Sequence, residues 1–256
     1  MPRSKIIVFN WKLNPSSYAK AKDLLRAVAR AGRGVRQGVI VVCPPFAYLF
    51  RLTTQPPKNI SLGAQDCFWQ IQGPYTGQVS AKTLSQTGIK WVILGHSEKR
   101  FYGRETSDQV AQKLKAALRT GLRPLLCLGE GRATHQKGLV ASKRFIKKQL
   151  KDSLGLLRQT EKRNIIFVYE PVWAISYQGQ SRADNPVHAA QIVSFLKQVL
   201  RQEFRLKNPL VLYGGSIDAK TINGFLGFED IDGFLVGAAS LKPGQISGII
   251  RAIGNN

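Results

Sequence analysis

The stretch Ile165-Ile166-Phe167-Val168-Tyr169-Glu170-Pro171-Val172-Trp173-Ala174-Ile175, leading on to Asn185-Pro186-Val187, decides the reading of this chain. Ile165 to Tyr169 is a continuous apolar run rather than an alternating one, the pattern of a parallel strand covered on both faces. Asn185 reads as a helix N-cap with Pro186 at the first helical position, and Val187, Ala190, Val193, Leu196 and Leu200 give the stripe that follows. A buried strand followed by an amphipathic helix is one βα unit.

The same unit recurs outward in both directions. Apolar runs return at Ile6 to Phe9, Val39 to Val42, Ile60 to Gly63, Trp91 to Leu94, Leu125 to Leu128, Leu210 to Tyr213 and Gly233 to Val236, which with Ile165 to Tyr169 makes eight. Helical stripes lie between them, such as Tyr18, Ala21, Leu25 and Val28, or Val110, Leu114, Ala117 and Leu118. No linker or low-complexity tract interrupts residues 1–256, so we expect one catalytic domain. The predicted class is α/β, a single closed (β/α)8 barrel, with a doubly wound open sheet as the alternative.

Composition narrows the surroundings. Three cysteines, Cys43, Cys67 and Cys127, are odd in number, widely spaced and without a C-x-x-C pair, which indicates neither a disulfide framework nor a zinc site and suits a reducing compartment. No apolar run approaches the roughly 18 residues of a membrane span, and a soluble cytoplasmic protein is expected. The chain carries 38 Lys and Arg against 15 Asp and Glu, a formal charge of +23. Lys143, Lys147 and Lys151, and Arg144 with Lys148, repeat on a segment where Ile146, Leu150, Leu154 and Leu157 form the apolar stripe. The basic residues are therefore first a solvated face. Such a surface also attracts anions, phosphorylated metabolites and nucleic acid alike, so a basic protein binding RNA or acidic partners on a repurposed barrel is the second hypothesis.

In a barrel of this kind, function gathers where the strands end. Asn10-Trp11-Lys12 follows the first run, and Gly95-His96-Ser97-Glu98 follows the fourth. Glu170, directly after the sixth and between apolar neighbours, is expected to have a raised pKa suited to a general base. Some fourteen residues separate Glu170 from the helix start, long enough to be a lid. Gly214-Gly215-Ser216 and Gly237-Ala238-Ala239-Ser240, after the seventh and eighth runs, let bare backbone approach a phosphate.

These motifs in order, together with Gly63-Ala64-Gln65, Tyr75-Thr76-Gly77 and Cys127-Leu128-Gly129-Glu130, resemble those of the triosephosphate isomerase family. The resemblance covers essentially the whole chain. It implies a (β/α)8 enzyme of glycolysis and gluconeogenesis that interconverts dihydroxyacetone phosphate and glyceraldehyde 3-phosphate with no cofactor and no metal. It further implies Glu170 as the base, His96 as a neutral imidazole donating to the enediolate oxygens, and Lys12 as the cation near phosphate and oxyanion. Asn10 would hold a substrate oxygen and Glu98 would orient the group. Backbone N–H groups of Ser176, Ser216, Gly237 and Ala238 would take the phosphate. Another sugar-phosphate isomerase on a phosphate-binding barrel would share the small-residue turns but not the His96 and Glu170 motifs.

The segment 66–80, with Phe68, Trp69, Ile71 and Tyr75, carries more apolar bulk than a wet loop tolerates. It either covers the barrel's own rim or meets a partner, and the resemblance implies a homodimer with Thr76 near the partner's active-site lysine. Departures from the family pattern are also visible. The lid reads Ile175-Ser176-Tyr177-Gln178-Gly179-Gln180 in place of Ile-Gly-Thr-Gly-Lys and is about three residues longer; Gln78, Lys99 and Arg104 stand where Glu, Arg and Gly are usual. A lysine does not reproduce a bidentate arginine contact, which bears on the ion pairs of the dimer side.

Overall fold

The structure is a computed structural model that describes residues 5–35, 38–175 and 184–254. Eight parallel strands close in sequence order: β1 (Ile6–Asn10), β2 (Val39–Cys43), β3 (Ser61–Ala64), β4 (Trp91–Leu94), β5 (Arg123–Leu128), β6 (Ile166–Tyr169), β7 (Val211–Tyr213) and β8 (Gly233–Val236). Closure is explicit at β1, where Ile7 is in register with Ile40 of β2 on one side and with Phe234 of β8 on the other. The open sheet is thereby excluded.

The continuous apolar runs have two destinations. Ile6, Val8, Val41, Cys43, Trp91, Ile93, Leu125, Cys127, Ile166, Val168, Leu212 and Leu235 pack together and fill the barrel. Their neighbours, among them Ile7, Phe9, Val42, Val92, Leu94, Leu126 and Phe167, pack instead with helix residues such as Leu25, Val28, Leu114, Ile146 and Leu196. Both faces of each strand are thus buried, which is why the sequence shows no polar alternation. At roughly 25 cal/mol per Å² of apolar surface removed from water, this double burial is the dominant stabilising contribution.

The helices begin where their caps put them. Helix Pro186–Gln202 starts with the Asn185 side chain accepting the Val187 N–H at 2.9 Å. Helix Ser107–Arg119 opens on a capping box, with Thr106 and Gln109 each accepting the other's backbone N–H. Helix Leu139–Leu154 buries Ile146, Leu150 and Leu154, while Lys147 and Lys151 turn outward to Glu203 at 2.5 and 2.9 Å. The basic stretch is therefore a helix face, as its spacing indicated.

The inward series sets the site. Along β1 the residues Ile6 and Val8 point into the barrel and Asn10 is next; along β6 Ile166 and Val168 do so and Glu170 is next. Gly63 of β3 is followed in the same way by Gln65, and Leu235 of β8 by Gly237. The polar groups are the rung above the last apolar layer, at the C-terminal mouth.

Candidate active site

Asn10, Lys12, His96, Glu98, Glu170, Gly214, Gly215, Ser216, Gly237 and Ala238 line one cavity of about 540 Å³ at that mouth. Of the residues singled out in the sequence, only Ser176, with the rest of 176–183, lies outside the described residues.

Lys12 sits just past the end of β1 with φ +53°, a left-handed backbone that costs an L-residue roughly 1–2 kcal/mol. Its N–H is held by Asn10 Oδ1 at 3.0 Å, and its carbonyl accepts from Gln65 Nε2 at 2.8 Å. Gln65 donates in addition to Cys43 O at 2.9 Å, linking the ends of β1, β2 and β3. Lys12 Nζ meets Glu98 Oε1 at 2.8 Å. The motif Gly63-Ala64-Gln65 marks Gln65 only by its inward position one rung above Gly63.

His96 is the N-cap of the short helix Ser97–Tyr102, and its Nδ1 accepts the Glu98 N–H at 3.2 Å. An acceptor at Nδ1 requires the proton to be on Nε2, so the ring is a neutral imidazole with an Nε2–H donor. That donor meets Glu170 Oε1 at 3.0 Å. Both side chains are buried.

The expectation of a raised Glu170 pKa does not hold for this arrangement. Burial is the largest single influence and pushes it up, but the hydrogen bonds it accepts from His96 and Ser97 act the other way, and it lies below the ordinary carboxylate range. Ser97 gives its backbone N–H to Oε2 and its hydroxyl to Oε1, each at 2.9 Å. Apolar sequence neighbours announced the burial; they could not announce donors that arrive from the end of β4.

A small residue is required at Gly215, and the space at Gly237 is tight. A Cβ on Gly215 would lie 2.1 Å from the Tyr213 hydroxyl, and one on Gly237 would lie 3.3 Å from Lys12 Cε. Ser216 donates its hydroxyl to Ala174 O at 2.8 Å, tying the β7 turn to the chain just after Glu170.

Beside this cavity lies a second of about 590 Å³, whose walls include Lys12, Gln65, Glu98, Lys99 and Tyr102. The 66–80 segment closes partly on itself: Phe68 is buried, its ring 4.0 Å from Trp69 and 4.8 Å from Tyr75. Phe68 is therefore covered within its own chain. Ile71, Tyr75 and Thr76 remain exposed. Lys99, standing where arginine is usual, reaches Asp66 at 3.0 Å, and the buried Lys113 joins Asp66 at 2.7 Å and Glu105. Arg104, standing where glycine is usual, takes φ +49°.

A cavity with these walls, at the C-terminal mouth of a closed parallel barrel, is that of a (β/α)8 enzyme. The family described as Triosephosphate isomerase matches residues 5–253. A triosephosphate isomerase of Coprinopsis cinerea is 38% identical over 95% of this chain and 96% of its own. Triosephosphate isomerases of Dictyoglomus turgidum and Moorella thermoacetica are 35% and 36% identical, over 98% and 97% of this chain and 100% and 98% of theirs. The chain belongs to the triosephosphate isomerase family.

Proposed function

We propose that this protein interconverts dihydroxyacetone phosphate and D-glyceraldehyde 3-phosphate by proton transfer through an enediolate. The observation that carries the proposal is the contact between Glu170 and the neutral His96, 3.0 Å apart in a cavity that Lys12 and Asn10 share. Glu170 takes the proton from the carbon beside the carbonyl and returns it to the neighbouring carbon. In the resting arrangement its lone pairs are engaged by Ser97 and His96, so the carboxylate must turn off them toward substrate. That movement leaves burial to act without the donors, which raises its basicity, and frees the His96 Nε2–H for the substrate oxygens. Lys12 offers its charge to phosphate and oxyanion, Asn10 its amide to a substrate oxygen, and Glu98 positions Lys12. The backbone N–H groups of Ser216, Gly237 and Ala238, with Ser176, take the phosphate.

Residues 1–256 act as one catalytic unit, and the working form is a cytoplasmic homodimer. Exposed Ile71, Tyr75 and Thr76, and an adjoining cavity that reaches Lys12, support a partner's 66–80 segment entering there. Among the described residues no helix is long and apolar enough to cross a membrane.

A coupled assay of dihydroxyacetone phosphate conversion tests the reading. Glu170→Gln is expected to lower turnover by roughly 10²- to 10⁴-fold with the fold retained. Equal turnover in the two proteins would overturn it.

A further inference from the structure

The chain has three histidines, and the catalytic one accounts for only His96. The other two, His135 and His188, are brought together by the segments that follow β5 and β6, with ring centroids 5.2 Å apart. His135 ends the short helix Arg132–His135, after β5; His188 stands in the first turn of helix Pro186–Gln202, after β6. Between them is Glu130, fully buried, two residues beyond the end of β5. One ligand-capable atom from each of Glu130, His135 and His188 lies within 4.8 Å of the others. None of the three lines the catalytic cavity.

We propose that Glu130, His135 and His188 form a site for a divalent transition metal of the zinc type. Two imidazoles and one carboxylate are the donor set that borderline ions prefer, and three protein ligands leave a position open to water. The side chains of His135 and His188 are 32% and 20% exposed, which gives an ion a route in from solvent.

Several groups in the cluster are arranged as such a site needs. Glu130 Oε1 accepts from Trp173 Nε1 at 2.9 Å, while its buried Oε2 has no hydrogen bond. The buried Nδ1 of His135 has none either and lies 3.7 Å from Glu130 Oε1. His135 is held by stacking on Trp173, with ring centroids 3.7 Å apart. His188 Nδ1 is bonded to Asp184 Oδ1 at 3.0 Å, which fixes the ring and leaves Nε2 as the nitrogen for an ion. A carboxylate behind a histidine is the usual support for a metal ligand.

Charge points the same way. Glu130 and Asp184 are both buried, and the groups of opposite sign they face are histidines: Glu130 faces His135 and Asp184 faces His188. Buried carboxylates are rarely left without a cation. The cysteine-based reasoning that indicated no zinc site could not see this set, because its members are far apart in sequence and carry no spacing motif.

Zinc titrated into the full-length protein, followed by the imidazole C–H resonances, tests the site. With three histidines, assignment follows from the signals missing in His135→Gln and His188→Gln. One zinc per chain is expected to move the His135 and His188 resonances and leave those of His96 in place. Each variant should bind at least tenfold more weakly. Zinc should raise the melting temperature of the parent protein but not of His188→Gln. No binding, binding that moves His96 instead, or undiminished affinity in His188→Gln would overturn the site.

Discussion

Ser97 holds both oxygens of Glu170, its N–H on Oε2 and its hydroxyl on Oε1, each at 2.9 Å. The start of the helix after β4 thereby lowers the pKa of a carboxylate carried just past β6. Glu170 is below its ordinary range in this state, so the contacts stabilise the fold above the ordinary carboxylate value of about 4.3, and the gain is lost as pH falls through the lowered value. Ser97→Ala removes one donor. We expect the acid limb of the kcat/KM profile to move to higher pH. The variant should also be less stable than the parent at neutral pH by about 1.5–3 kcal/mol, a buried bond to a charged group, with the gap shrinking in acid. Profiles of rate and melting temperature against pH check both.

Lys12 combines a left-handed backbone with a charge needed in the cavity. Lys12→Ala should raise KM and lower kcat together, since one cation serves substrate and transition state. Lys12→Gly should be equally impaired yet more stable than Lys12→Ala, by about 1 kcal/mol, because glycine adopts positive φ without a Cβ penalty. Denaturant titration of the two variants measures that difference. Equal stabilities would mean that the backbone conformation carries no strain.

Gly129 directly follows β5 and lies against the backbone of Glu170. A Cβ there would fall 1.8 Å from the Glu170 carbonyl oxygen and 2.6 Å from its carbonyl carbon, and backbone atoms cannot swing aside as a side chain would. Gly129→Ala is expected to cost at least the roughly 1–3 kcal/mol of an overpacked site. Turnover should fall as well, by displacement of Glu170. Thermal unfolding alongside steady-state rates would read out the two effects.

Ile71 is half exposed on the 66–80 segment, and so contributes little to the fold of one chain. Ile71→Asp should leave far-ultraviolet circular dichroism unchanged while shifting the protein from dimer to monomer in sedimentation velocity. A parent protein that sediments as a monomer would count against the proposed assembly.

The strand positions were readable because barrel strands are covered on both faces, so that Ile165 to Tyr169 and its seven counterparts stand out as unbroken apolar runs. The place of Asn10 and Glu170 was readable for a related reason: each is the first polar residue on an inward-facing series that the apolar layer has just filled. The Asn185 and Pro186 signal marked the helix after β6 because capping is local, needing only the next two residues.

What the sequence by itself determined was therefore whatever depends on neighbours along the chain: eight βα units, their ends, and the order of motifs that marks the family. Tertiary structure decided what depends on groups arriving from elsewhere. Glu170 is lowered rather than raised because Ser97 and His96, more than seventy residues earlier, donate to it. Phe68 is buried by Trp69 and Tyr75 only once the segment folds back, and His135 meets His188 only because β5 and β6 are adjacent in the closed sheet. Burial can be inferred from an apolar run, since it follows from what the chain itself contributes; electrostatics cannot, since a charge responds to every donor within a few ångströms whatever its position in the sequence.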